Sequence, residues 1–228
     1  MEGKKIQRSI KRTMDIVISL VVLIPFLLIW VTIAILVKVT SKGPIFFLQD
    51  RPGLNKQIFK VYKYRTMKPG SDVMVKGQEV KKDDDRITYI GKFLRRSKLD
   101  EIPQILNVLK GEMSLVGPRP ERIASLVDYD DEISKRLDMR PGMTGLAQVS
   151  GNIHLSLKDR YKLDVYYIEN YSLWLDLKII MRTIGVVVLG EDRYLDKSLV
   201  NIKHEYNEVA ATKEEAVSIE EDSSNRSE

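Results

Sequence analysis

Residues 16–37 run for 22 positions without a charged side chain, and Pro25 stands near their middle. That combination restricts the fold more than any other feature of the chain. About 20 apolar residues in a helix are enough to cross a bilayer core, so hydropathy alone predicts a straight span. Proline, however, removes one backbone hydrogen bond and its ring clashes with the preceding turn, which predicts a sharp bend at Pro25. Basic residues also stand on both sides of the run. Lys4, Lys5, Arg8, Lys11 and Arg12 precede it, and Lys38, Lys42, Arg51, Lys56, Lys60, Lys63 and Arg65 follow it. Positive flanks stay on the cytoplasmic side of a membrane, so both ends are expected on one face. A helix that enters, bends and returns satisfies the proline and the charges together. The run is too long for the core of a signal peptide, and no small-residue cleavage site follows it. Asp15, at its polar edge, is expected at head-group depth, paired with Arg12 or Arg8.

The remaining chain reads as one domain around one core, with 228 residues of which 43% are hydrophobic and 30% charged. There is no cysteine, which excludes a thiolate nucleophile, a disulfide frame and a cysteine zinc site. The two histidines, His154 and His204, stand far apart in the sequence and argue against a Ser-His-Asp triad or a two-histidine metal site. Any catalysis therefore rests on carboxylates, arginine and lysine. The net charge of +5 is unevenly spread: residues 205–228 hold eight acids and two bases, leaving +11 on residues 1–204. A basic body suits anionic partners such as phospholipid head groups, nucleotides or phosphates. The acidic, serine-rich end lacks the apolar content to pack and is expected to be disordered.

Between the hydrophobic run and the middle of the chain, residues 45–48, the turn Arg51-Pro52-Gly53 and the alternating residues 58–64 predict a short β-hairpin. Residues 68–86 are polar and read as a long loop. A second apolar stretch, 171–189, carries Asp176, Lys178 and Arg182 in mid-run. Two readings of it stand equal. As an interfacial helix it keeps those charges wet while Leu173, Trp174, Leu177, Ile180 and Ile184 meet lipid; otherwise it is an amphipathic core helix.

The densest chemistry lies at 97–120. Leu99, Ile102, Leu106 and Leu109 fall at helical spacing, and Pro103 is tolerated only in a first turn, which predicts a helix starting close to Asp100. Free N–H groups and the macrodipole at that end favour an ionised carboxylate and attract phosphate. Asp100 and Glu101 point about 100° apart, so one can attack while the other holds a metal. The plainer reading is a capping box between Ser97 and Asp100 on a surface helix.

An ordered set of motifs decides between these readings: Lys11-Arg12-x-x-Asp15, Gly43-Pro44-Ile45-Phe46-Phe47, Gln49-x-Arg51-Pro52-Gly53, Phe59-Lys60-Val61-Tyr62-Lys63-Tyr64-Arg65-Thr66-Met67, Arg86-Ile87-Thr88, Leu99-Asp100-Glu101-Ile102-Pro103-Gln104, Gly117-Pro118-Arg119-Pro120, Arg140-Pro141-Gly142-Met143-Thr144-Gly145-Leu146-Ala147-Gln148 and Leu163-Asp164-Val165-Tyr166-Tyr167. Over residues 11–190 the chain resembles the bacterial sugar transferases, specifically the small monotopic polyprenyl-phosphate phosphoglycosyl transferases. Many small members of that family have Ser-Pro at the bend, where this chain has Ile24-Pro25.

The resemblance implies an α+β, mainly helical fold. A re-entrant N-terminal membrane helix, interfacial amphipathic helices and a small β-hairpin would surround a compact cytoplasmic catalytic domain. It divides the chain into a basic N-terminus with its membrane helix at 1–40, a catalytic domain at 41–200 and the acidic tail at 201–228. The implied reaction moves a sugar 1-phosphate from a UDP-sugar to polyprenyl (undecaprenyl) phosphate and releases UMP, the first membrane step of surface-glycan assembly, at the cytoplasmic face of the bacterial inner membrane. Asp100 is the implied nucleophile and Glu101 the implied ligand of Mg²⁺, a hard cation suited to carboxylate and phosphate oxygens. Lys63, Arg65, Arg86, Arg119 and Arg140 are expected to hold phosphates, and Asp164 to pair with one of them or to belong to the site. No nucleic-acid motif is present. Two rival readings are a membrane-tethered basic module without enzymatic activity, and a hydrolase with the same aspartyl chemistry but water as acceptor.

Overall fold

The structure, a computed structural model, describes residues 2–71 and 84–189. Most of the loop expected at 68–86 and the whole tail expected at 201–228 lie outside the described residues. Helix α1 (Glu2–Leu23) and helix α2 (Leu27–Thr40) are bent by 70° at the break that contains Pro25. Among the described residues no single helix is long and apolar enough to cross a membrane, whereas this bent pair has that length and composition.

Helix α1 is built inside out. Its docked face carries Lys11, Asp15 and Ser19, all buried and four residues apart, while Ile10, Val17, Val21 and Ile24 at its outer side and end are exposed. Asp15 pairs with neither Arg12 nor Arg8, contrary to expectation. Its carboxylate accepts from Ser114 Oγ at 2.8 Å and from the Leu115 N–H at 3.1 Å, because the helix lies against the strand that carries Ser114 and a buried carboxylate needs donors there. Helix α2 buries Trp30, Ile33 and Val37 and exposes Leu28, Ile35 and Val39.

The expected hairpin is present: β1 (Phe46–Pro52) pairs antiparallel with β2 (Ile58–Tyr64), Phe46 opposite Tyr64 and Pro52 opposite Ile58. Tyr64 packs with Ile33 and Val37 of α2 and with Leu94 of α3 (Tyr89–Arg96), so the hairpin and the bent helix pair share one apolar cluster. Thr88 caps α3 by accepting from the Gly91 N–H.

The expected helix from Asp100 divides in two. Leu99–Glu101 form a single 3₁₀ turn entered from Lys98 in the left-handed region (φ 59°), and α4 proper is Gln104–Lys110 with Pro103 at its N-cap. Ser97 closes α3 rather than boxing with Asp100. The buried Asn107 locks α4 to the hairpin: its amide donates to the Lys60 carbonyl at 2.7 Å and accepts from the Tyr62 N–H at 3.0 Å.

A second, parallel pairing joins β3 (Ser114–Val116) to β4 (Gly142–Thr144). The motif glycines explain themselves here. A Cβ on Gly142 would stand 2.1 Å from the Gly117 nitrogen, so the Gly-Pro-Arg-Pro and Arg-Pro-Gly loops can pack backbone on backbone only as glycines. Short helices α5 (Asp131–Ser134) and α6 (Leu146–Val149) lead to α7 (Leu157–Glu169) and α8 (Leu173–Leu189). Val116, Leu146, Leu163, Tyr167 and Ile179 make the largest buried cluster.

Asp176 on α8 is not wet. It is buried against Lys11 Nζ at 2.6 Å and the Tyr167 hydroxyl at 2.6 Å, so this face of α8 docks on α1 and α7. Trp174, Leu177, Met181, Ile184 and Val188 form an exposed apolar stripe on its other side, while Ile180 packs toward the core. The core-helix reading thus holds for the face that carries Asp176, and the opposite face is apolar and exposed.

Candidate functional site

Glu101 is the electrostatic centre of the described surface around the 3₁₀ turn. Its Oε1 accepts from Lys63 Nζ at 2.6 Å and from Arg119 Nη2 at 3.4 Å. Three elements meet at this point: β2 supplies Lys63, the turn before α4 supplies Glu101, and the loop after β3 supplies Arg119. Asn107 sets the register between the first two, since it binds the backbone of β2 on both sides of Val61.

The two adjacent carboxyls are driven apart. Burial pushes Glu101 up, but Arg119 and Lys63 outweigh it and hold the carboxyl well below the usual range. Burial and the charge of Glu101 push Asp100 up, against the smaller pull of Lys63 and Arg95. The helix end is expected to do the reverse for Asp100, but α4 begins beyond it, and the Ile105 and Leu106 N–H groups at its start are taken by the Ile102 and Pro103 carbonyls. Asp100 makes no ion pair among the described residues, and its half-buried carboxyl feels a hydrogen bond from its own backbone N–H. The pair therefore offers one carboxylate held in its ionised form by two cations, and beside it a carboxylate of raised basicity. A more basic carboxylate is a better nucleophile once ionised.

The other expected site residues are placed elsewhere. Arg65, just past β2, is buried against the end of α2, where Nη2 donates to the Ser41 carbonyl and hydroxyl, each at 2.7 Å. Arg86 forms a two-point fork with Asp84, Nε to Oδ1 at 2.9 Å and Nη2 to Oδ2 at 2.7 Å, which lowers the Asp84 carboxyl to about 2. Arg140 lies on a loop whose backbone packs against Gly117, and its Nε donates to the Gly111 carbonyl at 2.7 Å. Lys63, Glu101 and Arg119 are thus brought together, and Arg65, Arg86 and Arg140 are engaged apart from them.

Asp164 is fully buried on α7, and its partner is Arg136, a residue that sequence reasoning missed. Arg136 Nε and Nη2 donate to Asp164 Oδ2 at 3.0 and 2.7 Å, and Nη2 also donates to the Arg119 carbonyl at 2.9 Å. The guanidinium lies 4.3 Å from the Tyr161 ring centre and 5.4 Å from that of Tyr129, and Nη1 meets the Tyr129 hydroxyl. Burial raises the Asp164 carboxyl to about 6, with Arg136 opposing. This pair holds the backbone from which Arg119 reaches Glu101. The available signal is the acid of Leu163-Asp164-Val165 among apolar neighbours on a helix, which demands a buried cation.

Two further arginines were missed. Arg95, in the last turn of α3, acts on Asp100 electrostatically, and its Nε is oriented by Thr66 Oγ1 at 2.9 Å. Arg51, at the end of β1, feels Arg119 and Glu101; burial and the like charge of Arg119 lower it to about 10. Gln49 orients it from two residues away, at 2.7 Å.

The Mg²⁺ implied by the resemblance can be tested against these donors. Among the described residues no group of three or more acidic or histidine side chains is placed to cage a metal. Magnesium needs no such cage, because it takes one or two carboxylates and completes its shell with phosphate oxygens and water. Adjacent Glu101 and Asp100 beside two phosphate-suited cations fit that chemistry.

Comparison with known proteins gives the same direction. Residues 6–190 match the family described as bacterial sugar transferase. A UDP-N-acetylgalactosamine-undecaprenyl-phosphate N-acetylgalactosaminephosphotransferase from Aeromonas hydrophila is 41% identical over 188 residues, 79% of this chain and 44% of that protein. A UDP-glucose:undecaprenyl-phosphate glucose-1-phosphate transferase from Xanthomonas campestris pv. campestris is 42% identical over 189 residues, 79% of this chain and 39% of its own. The uncharacterized sugar transferase EpsL of Bacillus subtilis is 40% identical over 183 residues, 80% of this chain and 89% of EpsL. The chain thus spans less than half the length of the first two and most of the third. With the family match running from α1 to the end of α8, the chain belongs to the bacterial sugar transferases.

Proposed function

We propose that this chain is a phosphoglycosyl transferase that moves a sugar 1-phosphate from a UDP-sugar to polyprenyl phosphate, releasing UMP through a covalent aspartyl sugar-phosphate. The observation that carries the reading is the split carboxylate pair, Glu101 held ionised between Lys63 and Arg119 with Asp100 raised and unpaired beside it. Relatives named as sugar-phosphate transferases of undecaprenyl phosphate support the substrates.

In the first step an Asp100 oxygen attacks the β-phosphorus. A carboxyl–phosphate bond forms, the bond to the bridging oxygen breaks, and its electron pair leaves on UMP. In the second step an oxygen of polyprenyl phosphate attacks the same phosphorus, and the bond to Asp100 breaks, which restores the carboxylate. Lys63 and Arg119 place positive charge against the negative phosphoryl oxygens, and Arg119 is preorganised by its prolines and by Arg136. Glu101 would hold Mg²⁺ together with phosphate oxygens, and the ion's chemistry there is to neutralise charge on the departing UMP.

One substrate is dissolved in water and the other anchored in lipid, so the site belongs at head-group level on the cytoplasmic face of the inner membrane. The exposed apolar residues of α1, α2 and α8 support a monotopic seat there. UMP release across a panel of UDP-sugars, with and without undecaprenyl phosphate, tests the function. Lipid-linked sugar diphosphate as the product supports it; free sugar phosphate formed equally without the lipid would make the chain a hydrolase.

A further inference from the structure

Helix α4 cannot hold its own place. Seven residues make about two turns, and an isolated helix of that length is unstable in water, so its position comes from outside contacts. Its last carbonyls have no partner within the helix. Gly111, left-handed at φ 86°, returns its N–H to Val108, and the Glu112 N–H returns to Asn107 at 3.0 Å. What completes this end comes from α1, where Arg12 donates Nη1 to the Val108 carbonyl at 2.5 Å and Nη2 to the Leu109 carbonyl at 2.9 Å.

Arg12 is itself held in place. On the same face of α1, Lys11 is paired with buried Asp176 at 2.6 Å, and Asp15 takes Ser114 and the Leu115 N–H. The helix cannot slide along its axis without breaking these contacts together. At its other end α4 is joined to the separate 3₁₀ turn of Asp100 and Glu101 by short-range hydrogen bonds, Leu106 N–H to Pro103, Ile105 N–H to Ile102 and Ile102 N–H to Leu99. Val108 and Leu109 lie eight and nine residues beyond Asp100 along this hydrogen-bonded run, roughly 12–14 Å at about 1.5 Å per residue. Glu101 meets Arg119 at 3.4 Å, already near the limit of a hydrogen bond, so a small axial shift of α4 passed on to the linked turn separates them.

We propose that Arg12 is a positioning residue: by gripping the C-terminal carbonyls of α4 from α1, it sets where Asp100 and Glu101 stand against Lys63 and Arg119, and so couples the seating of α1 to transfer. The coupling to transfer rests on the function proposed above. A simple C-cap adds stability and leaves turnover of the folded protein untouched, and this difference separates the two roles. The test uses the full chain in lipid nanodiscs with Arg12→Gln and Arg12→Lys. A misplacement of about 1 Å costs up to about a hundredfold, so Arg12→Gln is expected to lower kcat roughly ten- to hundredfold with KM for the UDP-sugar little changed. Arg12→Lys is expected to fall between, because one ammonium replaces a two-point fork. Hydrogen exchange of the amides of residues 99–110 is expected to accelerate in both variants while that of β1 and β2 does not, a readout that needs no turnover. Inactivity of the unaltered chain would defeat the proposed function and leave this exchange readout to decide the positioning. Wild-type kcat in either variant, or unchanged exchange over 99–110, would overturn it; if Arg12→Gln does not fold, Arg12→Lys decides alone.

Discussion

Replacing Arg136 by Met tests the support beneath Arg119. The substitution keeps much of the side-chain volume but removes both donors to Asp164 Oδ2 and the donor to the Arg119 carbonyl. Both partners of the pair are 2% exposed, so the change leaves a buried carboxylate without its cation. Breaking a buried pair in this way costs about 3–5 kcal/mol, because the remaining charge is desolvated and uncompensated. For a chain of this size that is a fall of roughly 6–20 °C in Tm. The loss also depends on pH in a definite direction. Asp164 is raised to about 6 when folded, above an ordinary aspartate, so the folded state binds its proton more tightly than the unfolded state. Stability from this group is complete below the unfolded value and is lost as pH rises through the folded one. Without Arg136 the carboxyl rises further, and the deficit of the variant is larger at pH 8 than at pH 5. Thermal unfolding in nanodiscs at the two pH values reads both effects. Arg136→Met combined with Asp164→Leu should recover most of the stability and little of the activity, since the Arg119 carbonyl still lacks its donor. A single variant that loses less than about 1 kcal/mol, or loses the same at both pH values, would refute this account of the pair.

Lys63→Met leaves Glu101 with Arg119 as its close ion-pair partner and should lower kcat roughly a hundredfold or more, measured as UMP release in steady state. Because Asp100 must be ionised to attack and its carboxyl is raised, the acid limb of the UMP burst should lie above the range of an ordinary aspartate; a limb within that range would contradict the electrostatics. Cysteines placed at Arg8 and Lys42, in a chain that has none of its own, should label from the same side of the membrane, and labelling from opposite sides would establish a straight span.

Local pattern carried the hairpin and the bend. Residues 58–64 alternate and a proline-glycine turn precedes them, so the β1–β2 pairing needs no distant information, and Pro25 breaks α1 from α2 by the geometry of its own ring. The parallel pairing of β3 with β4 has no such signal, because three-residue strands this far apart carry almost no periodicity. Charges were the least legible. Asp176 reads as a wet residue in an apolar run and is instead buried on Lys11, 165 positions away. Arg65, Arg119 and Arg140 look equivalent, each beside a motif glycine, proline or strand. What separates them is the partner each guanidinium meets: helix-end carbonyls for Arg65, the Gly111 carbonyl for Arg140, and a carboxylate for Arg119 alone. The Asp100–Glu101 pair was legible as chemistry, but its helix start was not, because Lys98 in the left-handed region inserts a separate turn before α4.

The central claim is that Asp100 becomes covalently attached to the sugar phosphate. Incubation of the chain with its UDP-sugar and Mg²⁺, without polyprenyl phosphate, followed by mass spectrometry of the peptide carrying Asp100, tests it most directly. The account predicts one sugar-phosphate added to that peptide, an equal amount of UMP released, and neither with Asp100→Asn, whose amide cannot attack. An active preparation that forms product only when both substrates are present, with no adduct and with intersecting rather than parallel kinetic lines, would contradict it in favour of direct transfer.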